Sequence, residues 1–362
     1  MPSVDHGQNA LSAIYTGLRE HAILVGLIVA YGLAALAVAE FQGLTYPLFF
    51  NLLAAYFVTL LIPLTLAFCW HAIGVMIFVR PQRLTRYLLS SLKGYLEPRR
   101  LLYLAPILLL IPVFAVAFSF LKSTIPILSP YTWDTAFTRW DYLLHGSSHP
   151  WVLLQPVLGY PLVTGGINFL YNLWYLTMYV LLMLQVFDTR NPALRMRFLL
   201  SFLLTWIVLG TFGALAFSSM GPCYDPGIAS NSGPYAPLMN YLKAAGESVP
   251  VPSLELQQML WDNYQGNGRA VGSGISAMPS MHVAIAALMA LFGWHYSRAA
   301  GIALTAYALV VLVGSVHLGW HYAVDGYAGA LGAWLIWWVV GRCLAGRLAL
   351  QQNHAAALPV RT

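Results

Sequence analysis

The sequence has very little charge for its length. Only 8% of its 362 residues are Asp, Glu, Lys or Arg, whereas 59% are hydrophobic and the mean hydropathy is +0.68. Soluble globular proteins carry about a quarter charged residues, so this chain lacks the polar surface that would cover it in water. The composition excludes a soluble fold and predicts an all-α integral membrane protein.

Cysteine is scarce as well. Cys69, Cys223 and Cys343 are odd in number and far apart, which argues against a disulfide framework or a zinc-ribbon spacing. The net charge of +6 indicates no nucleic-acid partner, because the basic residues fall in a few short loops, as they do in membrane proteins. The first 20 residues are too polar for a cleaved signal peptide, so we expect the first apolar run to be a permanent span.

Long apolar runs dominate the rest of the chain. A bilayer core about 30 Å thick needs about 20 apolar residues in a helix, and roughly eight such runs are present. The predicted spans are 21–39, 47–79, 101–121, 168–187, 198–217, 280–296, 301–318 and 326–344. We count 47–79 as one tilted or kinked helix, with Pro63 near its middle.

The basic residues predict the orientation of these spans. They concentrate at 80–100, at 190–197 and in the C-terminal tail. The positive-inside rule assigns these segments, and with them both termini, to the cytoplasm. An even number of spans is consistent with that assignment.

Two other segments are then expected on the extracytoplasmic side. Segment 122–167 interleaves tryptophans with charged residues, which is typical of a helix lying in the membrane interface. Its apolar end, 151–167, contains two prolines and is either interfacial or re-entrant. Segment 218–275 is rich in Gly, Pro, Ser and Asn with nearly balanced charges, which predicts an external loop.

Histidines occur at the edges of two apolar runs, where an ionisable side chain is costly to hold. The first segment, 272–282, begins with two glycines and ends Pro-Ser-Met-His. The second, 317–325, contains three polar candidates, His317, His321 and Asp325. The predicted topology assigns both segments to the extracytoplasmic face, so we expect them to meet.

The residue types in these segments suit phosphate chemistry. His321 and Asp325 are four positions apart, so on a helix they would share one face, and the carboxylate would fix the imidazole tautomer. Pro279 suits the first turn of a helix, whose amides bind anions, and Ser280 adds a hydroxyl donor. Such a site favours phosphoryl transfer through a phosphohistidine, with the second histidine, His282, protonating the leaving oxygen.

Other interpretations remain open at this point. A single histidine at a membrane interface is usually a polar residue that snorkels toward the aqueous phase. This interpretation applies to His71, His145, His149 and His295. His317, His321 and Asp325 are spaced by four and four, so they could instead ligate a metal from one helical stripe. His317 taken alone is either a pocket residue or a structural polar contact.

The two segments resemble a known family. The sequences Ser276-Ala277-Met278-Pro279-Ser280-Met281-His282 and His321-Tyr322-Ala323-Val324-Asp325 are similar to the second and third motifs of the type-2 phosphatidic acid phosphatase/haloperoxidase superfamily. Within it, the chain looks most like the branch of inositol phosphorylceramide synthases and related inositolphosphotransferases. The resemblance implies a six-helix core at 101–344, preceded by two spans in 1–100 and followed by a cytoplasmic tail at 345–362.

The resemblance also implies roles for residues. His321 would be the nucleophile, His282 the general acid, Asp325 the orienting acid and Ser280 a phosphate contact. No metal and no cofactor would be needed. The expected partner is a phospholipid or another lipid phosphate within the membrane.

The chain departs from the family pattern where the phosphatase branch has cations. Ile73 stands where a lysine would occur, and Ser315 stands where an arginine would precede the histidine by six residues. Arg269, Lys243 or Arg139 could supply the missing charge from the external segments. A phosphodiester carries less charge than a phosphomonoester, so the loss favours the phosphotransferase branch.

The sequence therefore predicts a lipid phosphotransferase that moves a phosphate-bearing head group at the extracytoplasmic face. The first alternative is hydrolysis of a lipid phosphate or a polyprenyl diphosphate. The alternative from another class is a transporter or lipid-binding membrane protein with a histidine-lined site. A phosphotransferase and a phosphatase differ in whether an acceptor alcohol or water resolves the phosphohistidine. A transporter or lipid-binding protein would form no such intermediate.

Overall fold

The structure is a computed structural model that describes residues 4–46, 49–266 and 274–357. Every regular element in those ranges is helical, which confirms the predicted all-α class. The helices are α1 (Val4–Glu20), α2 (Ala22–Phe41), α3 (Asn51–Val79), α4 (Leu84–Tyr95), α5 (Pro98–Leu128), α6 (Asp134–Leu144), α7 (Pro150–Leu158), α8 (Pro161–Phe187), α9 (Pro192–Ala216), α10 (Ala236–Gly246), α11 (Pro252–Gln265), α12 (Met281–Tyr296), α13 (Arg298–His317) and α14 (Ala323–Ala357).

The predicted spans correspond to helices of the structure. Among the described residues, seven helices are long and apolar enough to cross a membrane, namely α2, α3, α5, α8, α9, α13 and the Ala323–Gly346 part of α14. The eighth predicted span is α12, a shorter apolar helix of 16 residues. The protein is an integral membrane protein built from these helices.

The segment predicted to be interfacial differs from its expected bounds at both ends. Its first residues extend α5 to Leu128, and its last residues belong to α8, which begins at Pro161 instead of residue 168. Proline is well tolerated in the first helical turn because its missing N–H would have no partner there. Between these spans lie two short helices, α6 and α7, so 151–167 is divided between α7 and α8.

The chain divides into two compact units. Among the described residues, one unit contains 4–46, 49–124, 175–189 and Gly274, so it includes α1 to α4, most of α5 and the second half of α8. Its helices are joined by aromatic contacts, such as the rings of Tyr31 and Phe114 with centroids 5.0 Å apart.

The other unit contains the described residues 125–174, 190–266 and 275–357, and it holds His282, His317, His321 and Asp325. At its centre, α12 turns into α13 at Ser297, whose hydroxyl accepts a hydrogen bond from the Ala300 amide at 3.1 Å. The third partner is α14, whose Gly329 lies directly against the start of α12. A Cβ on Gly329 would be 2.5 Å from the carbonyl oxygen of Ser280, so only glycine permits this approach.

The predicted external loop contains regular structure of its own. Two helices, α10 and α11, occupy much of 218–275, and two 3₁₀ turns precede them at Pro222–Tyr224 and Pro226–Ile228. Residues 267–273, which include Arg269 and Gly272, lie outside the described part of the chain.

Candidate active site

Helix α12 begins with a serine cap. The Ser280 hydroxyl accepts a hydrogen bond from the Val283 amide at 3.4 Å, as expected of a serine at the N-cap. Pro279 therefore lies just outside the helix, one residue before the cap, and not in the first turn as the sequence suggested. Ser280 is fully buried, and its own amide donates to the carbonyl oxygen of Asp325 at 3.0 Å. This bond joins the start of α12 to the start of α14.

The second histidine segment begins where α13 ends. The amide of Gly319 donates to Val316 at 3.1 Å, and the amide of Trp320 donates to Ser315 at 3.0 Å, the pair of bonds that defines a Schellman motif. Gly319 has a φ of +73°, which glycine adopts without strain. The turn redirects the chain, and the amide of His321 then also donates to Ser315, at 3.1 Å.

His321 and Asp325 are in contact, but they do not share a helix face. His321 lies in the turn, two residues before α14, because Gly319 ends α13 and a new helix starts at Ala323. The Asp325 carboxylate reaches back from the first turn of α14, where its Oδ2 accepts from the Tyr322 amide at 3.0 Å. The same oxygen lies 3.4 Å from Nδ1 of His321. The acid thus caps its own helix and holds the imidazole.

Two aromatic rings enclose His282. The ring of Tyr171 stacks on its imidazole with centroids 4.8 Å apart, and the ring of Trp174 lies 4.4 Å away at a tilt of 43°. Both aromatic residues are buried on α8. The imidazoles of His282 and His321 meet edge to face, with centroids 5.7 Å apart. A phosphorus atom bound to one histidine would therefore have the other within reach.

Asp141 of α6 caps the N-terminus of α14. Its two carboxylate oxygens accept from the amides of Ala323 at 2.8 Å and Val324 at 2.9 Å, and only 1% of the residue is exposed. A carboxylate at a helix N-terminus satisfies amides that have no partner within the helix and complements the helix dipole. Burial raises the pKa of Asp141, and these two hydrogen bonds oppose the rise.

Asp134, at the start of α6, ties two loops together. Its carboxylate accepts from the amides of Met220 at 3.0 Å and Gly221 at 2.9 Å, and from the Tyr322 hydroxyl at 3.0 Å. Burial, followed by the nearby carboxylates, raises the pKa of Tyr322, so this phenol stays a neutral donor. Tyr322 is the residue between His321 and α14, so Asp134 also helps to fix the histidine.

His317 lies in a different hydrogen-bond network. Its Nε2 is 2.9 Å from the Thr164 hydroxyl, which in turn is 2.7 Å from the Tyr241 hydroxyl. Because α13 ends at His317, the three-ligand helical stripe required by the metal interpretation does not form. Within the part of the chain that the structure describes, no group of three His, Cys, Asp or Glu side chains is arranged to hold a metal ion.

The cations proposed from sequence lie on exposed surfaces or outside the described residues. The side chains of Lys243 on α10 and Arg139 on α6 are exposed. Arg269 belongs to 267–273, which the structure does not describe. Ser315, which replaces the family arginine, donates its hydroxyl to the Leu312 carbonyl at 2.7 Å and so stays within its own helix.

Four residues that support the site, Asp134, Asp141, Tyr171 and Trp174, carry no motif that predicts such a role from sequence. The two acids belong to the aromatic segment that was interpreted as interfacial, and their partners are more than 80 residues away in the chain. One feature of the sequence pointed to these two acids: a charged side chain in a membrane protein costs free energy unless it is paired, so Asp134 and Asp141 require partners. The spacing could not identify those partners.

The structure brings two imidazoles together near the starts of two apolar helices, and one of them is in contact with a carboxylate. A family model described as PAP2 superfamily matches residues 135–339, more than half of the chain. The chain belongs to the PAP2 superfamily, whose members are phosphatases and phosphotransferases, and it is therefore an enzyme acting on phosphoesters. Searches of curated proteins and of solved structures find no match.

Proposed function

We propose that the protein is a membrane lipid phosphotransferase that moves a phosphate-bearing head group through a phosphohistidine on His321. The observation that carries this proposal is the contact between the imidazoles of His282 and His321, with Asp325 behind the second one. Asp325 faces Nδ1 at 3.4 Å, so we assign the attack on phosphorus to Nε2. His282 is the general acid and base, and Ser280 is a phosphate contact.

The reaction has two balanced steps. First, the lone pair of Nε2 of His321 forms a bond to phosphorus while the bond from phosphorus to the leaving alcohol oxygen breaks, and His282 gives that oxygen a proton. Second, the hydroxyl oxygen of an acceptor lipid or small alcohol attacks phosphorus and gives its proton to His282. The phosphorus–nitrogen bond then breaks and restores both histidines.

The absence of an arginine at position 315 supports transfer of a phosphodiester over hydrolysis of a phosphomonoester. A phosphodiester carries one negative charge, which neutral donors such as the Ser280 hydroxyl and the first amides of α12 can stabilise. This agrees with a branch similar to inositol phosphorylceramide synthases. We further propose that both termini are cytoplasmic and that the site opens on the extracytoplasmic face, as the basic loops predict.

Product analysis tests the proposal. The purified protein in lipid vesicles is incubated with a phospholipid labelled in its phosphate, with and without candidate acceptor lipids and alcohols. Label in a new phosphodiester that depends on the acceptor supports transfer. Release of free phosphate whatever acceptor is supplied would replace transfer by hydrolysis, and binding or transport without any labelled product would contradict an enzyme of this kind.

A further inference from the structure

The polar face of α8 extends the site beyond the two motifs. Thr164, Asn168 and Tyr171 follow each other at helical spacing, and each is at most 3% exposed. Buried polar residues in a membrane-spanning helix are costly and usually serve a function. Two of these three side chains have partners: the Thr164 hydroxyl bonds to the hydroxyl of Tyr241, and Oδ1 of Asn168 accepts from the Ser253 amide at 3.2 Å.

Tyr171 differs from the other two. Among the residues that the structure describes, its hydroxyl has no hydrogen-bond partner, although the side chain is buried. Native structures leave few such groups unsatisfied, and those they do leave are often completed by a ligand or an ordered water. The ring has little freedom to turn away, because it lies between His282 and Gly314: a Cβ on Gly314 would be 3.3 Å from its Cδ2.

The position of Tyr171 matches a need of the reaction. The phosphoryl group attached to His321 must lie near His282, and the ring of Tyr171 stacks on that imidazole. Ser315 stands where the family has an arginine, and its hydroxyl donates to the Leu312 carbonyl. A phenol donates a hydrogen bond without adding charge, so it suits an oxygen that carries part of one negative charge.

We propose that the Tyr171 hydroxyl donates a hydrogen bond to a non-bridging phosphoryl oxygen of a phosphodiester substrate. It thereby supplies part of the charge stabilisation that the family's arginine would give. This inference rests on the proposed function, because it assumes that phosphorus is attacked by His321. Tyr171 is then a residue that touches the substrate, while its ring keeps His282 in place. It also makes the site selective for substrates with a single negative charge at phosphorus.

Tyr171→Phe tests the inference, since phenylalanine keeps the ring on His282 and removes only the hydroxyl. Tyr160→Phe is the matched control, because Tyr160 precedes the same helix and is 59% exposed. We expect Tyr171→Phe to lower kcat/KM for label transfer by about 10–100-fold, the range for a hydrogen bond to a charged group. Tyr160→Phe is expected to match the parent protein.

A stereochemical measurement separates contact with the substrate from a structural role. The donor phosphodiester is prepared as its two phosphorothioate diastereomers, and the ratio of their kcat/KM values is measured on one sample, so the folded fraction cancels. Tyr171→Phe should change that ratio about tenfold, and Tyr160→Phe should leave it unchanged. An unchanged ratio in Tyr171→Phe, with or without a loss of rate, would overturn the inference. Label transfer that persists in His321→Ala would instead refute the proposed function itself.

Discussion

The imidazole rings of His282 and His321 lie edge to face with their centroids 5.7 Å apart, although 38 residues separate them in the chain. His282 lies in the first turn of α12 and His321 lies two residues before α14, and a backbone hydrogen bond from the Ser280 amide to the Asp325 carbonyl joins the starts of the two helices. Backbone contacts thus hold the segments that carry the two rings. Preorganisation of this kind is what phosphoryl transfer demands of a protein.

The role of His282 predicts a dependence on the leaving group. His282→Ala should lower the rate of label transfer by about 10²–10⁴-fold with a phospholipid donor, whose leaving alcohol needs a proton. A nitrophenyl phosphodiester has a leaving oxygen that departs without one, so with this donor the loss should be small. Because His282 is also the base of the second step, the measurement is the first-turnover burst of nitrophenol release, which reports the first step alone, beside the rate of lipid transfer.

His321→Ala is the control for that experiment, because a missing nucleophile cannot be replaced by a better leaving group. It should be inactive with both donors. Equal losses for the two donors in His282→Ala would refute the assignment of a general acid.

Asp325 should act mainly through His321. Asp325→Asn keeps the size of the side chain but removes the charge that faces Nδ1 of His321 at 3.4 Å, so kcat should fall by about 10²–10⁴-fold. KM should change little, because the carboxylate does not touch the substrate. Steady-state kinetics with the phospholipid donor checks this, and a rise in KM with unchanged kcat would contradict it.

Asp141 should give the fold a specific dependence on pH. Burial raises its pKa from the ordinary value of 3.8, so the protonated form is favoured more in the folded protein than in the unfolded chain. The stability that this residue contributes is therefore fully present below pH 3.8 and is lost as the pH rises through the raised pKa. Melting temperatures of the parent protein and of Asp141→Asn, compared pH by pH, check this.

Asp141→Asn keeps one oxygen for the amides of Ala323 and Val324 but cannot titrate. The parent protein should lose stability relative to Asp141→Asn as the pH rises above 3.8 and through the raised pKa. Asp141→Ala removes the cap at every pH and should cost about 0.5–2 kcal/mol. A difference between parent and Asp141→Asn that does not change with pH would contradict the account of this residue.

Gly329 should tolerate no side chain. A Cβ there would lie 2.5 Å from the Ser280 carbonyl oxygen, so Gly329→Ala must push α14 away from α12. We expect a loss of about 1–3 kcal/mol in stability and a larger loss of activity, since Asp325 and Ser280 would separate. Gly346→Ala on the same helix is the control: nothing lies within 4 Å of its Cβ position. Thermal unfolding and label transfer are measured on both variants. A Gly329→Ala protein as stable and as active as Gly346→Ala would contradict this account of Gly329.

The apolar runs and the two motifs were readable in the sequence because each depends on local patterning. About 20 apolar residues in a row predict a span wherever they occur. The start of α8 at Pro161 was missed because two prolines suggested a break, whereas one of them begins a helix.

The residues that hold the site in place could not be predicted from the sequence. Asp141 bonds to Ala323 and Val324 across more than 180 residues, and no spacing rule links such positions. The same holds for Tyr171 and Trp174, whose contacts with His282 depend on how α8 packs against α12. Aromatic residues near the membrane surface are common, so only the structure separates these two from the others.

Trapping the covalent intermediate tests the central claim most directly. The protein is mixed with phosphate-labelled phospholipid without an acceptor and denatured in base, which preserves phosphohistidine, and the labelled peptide is identified by mass spectrometry. We predict acid-labile label on His321, its removal when an acceptor is added before denaturation, and no label in His321→Ala. Label on another residue, or transfer to the acceptor that continues in His321→Ala, would contradict the account.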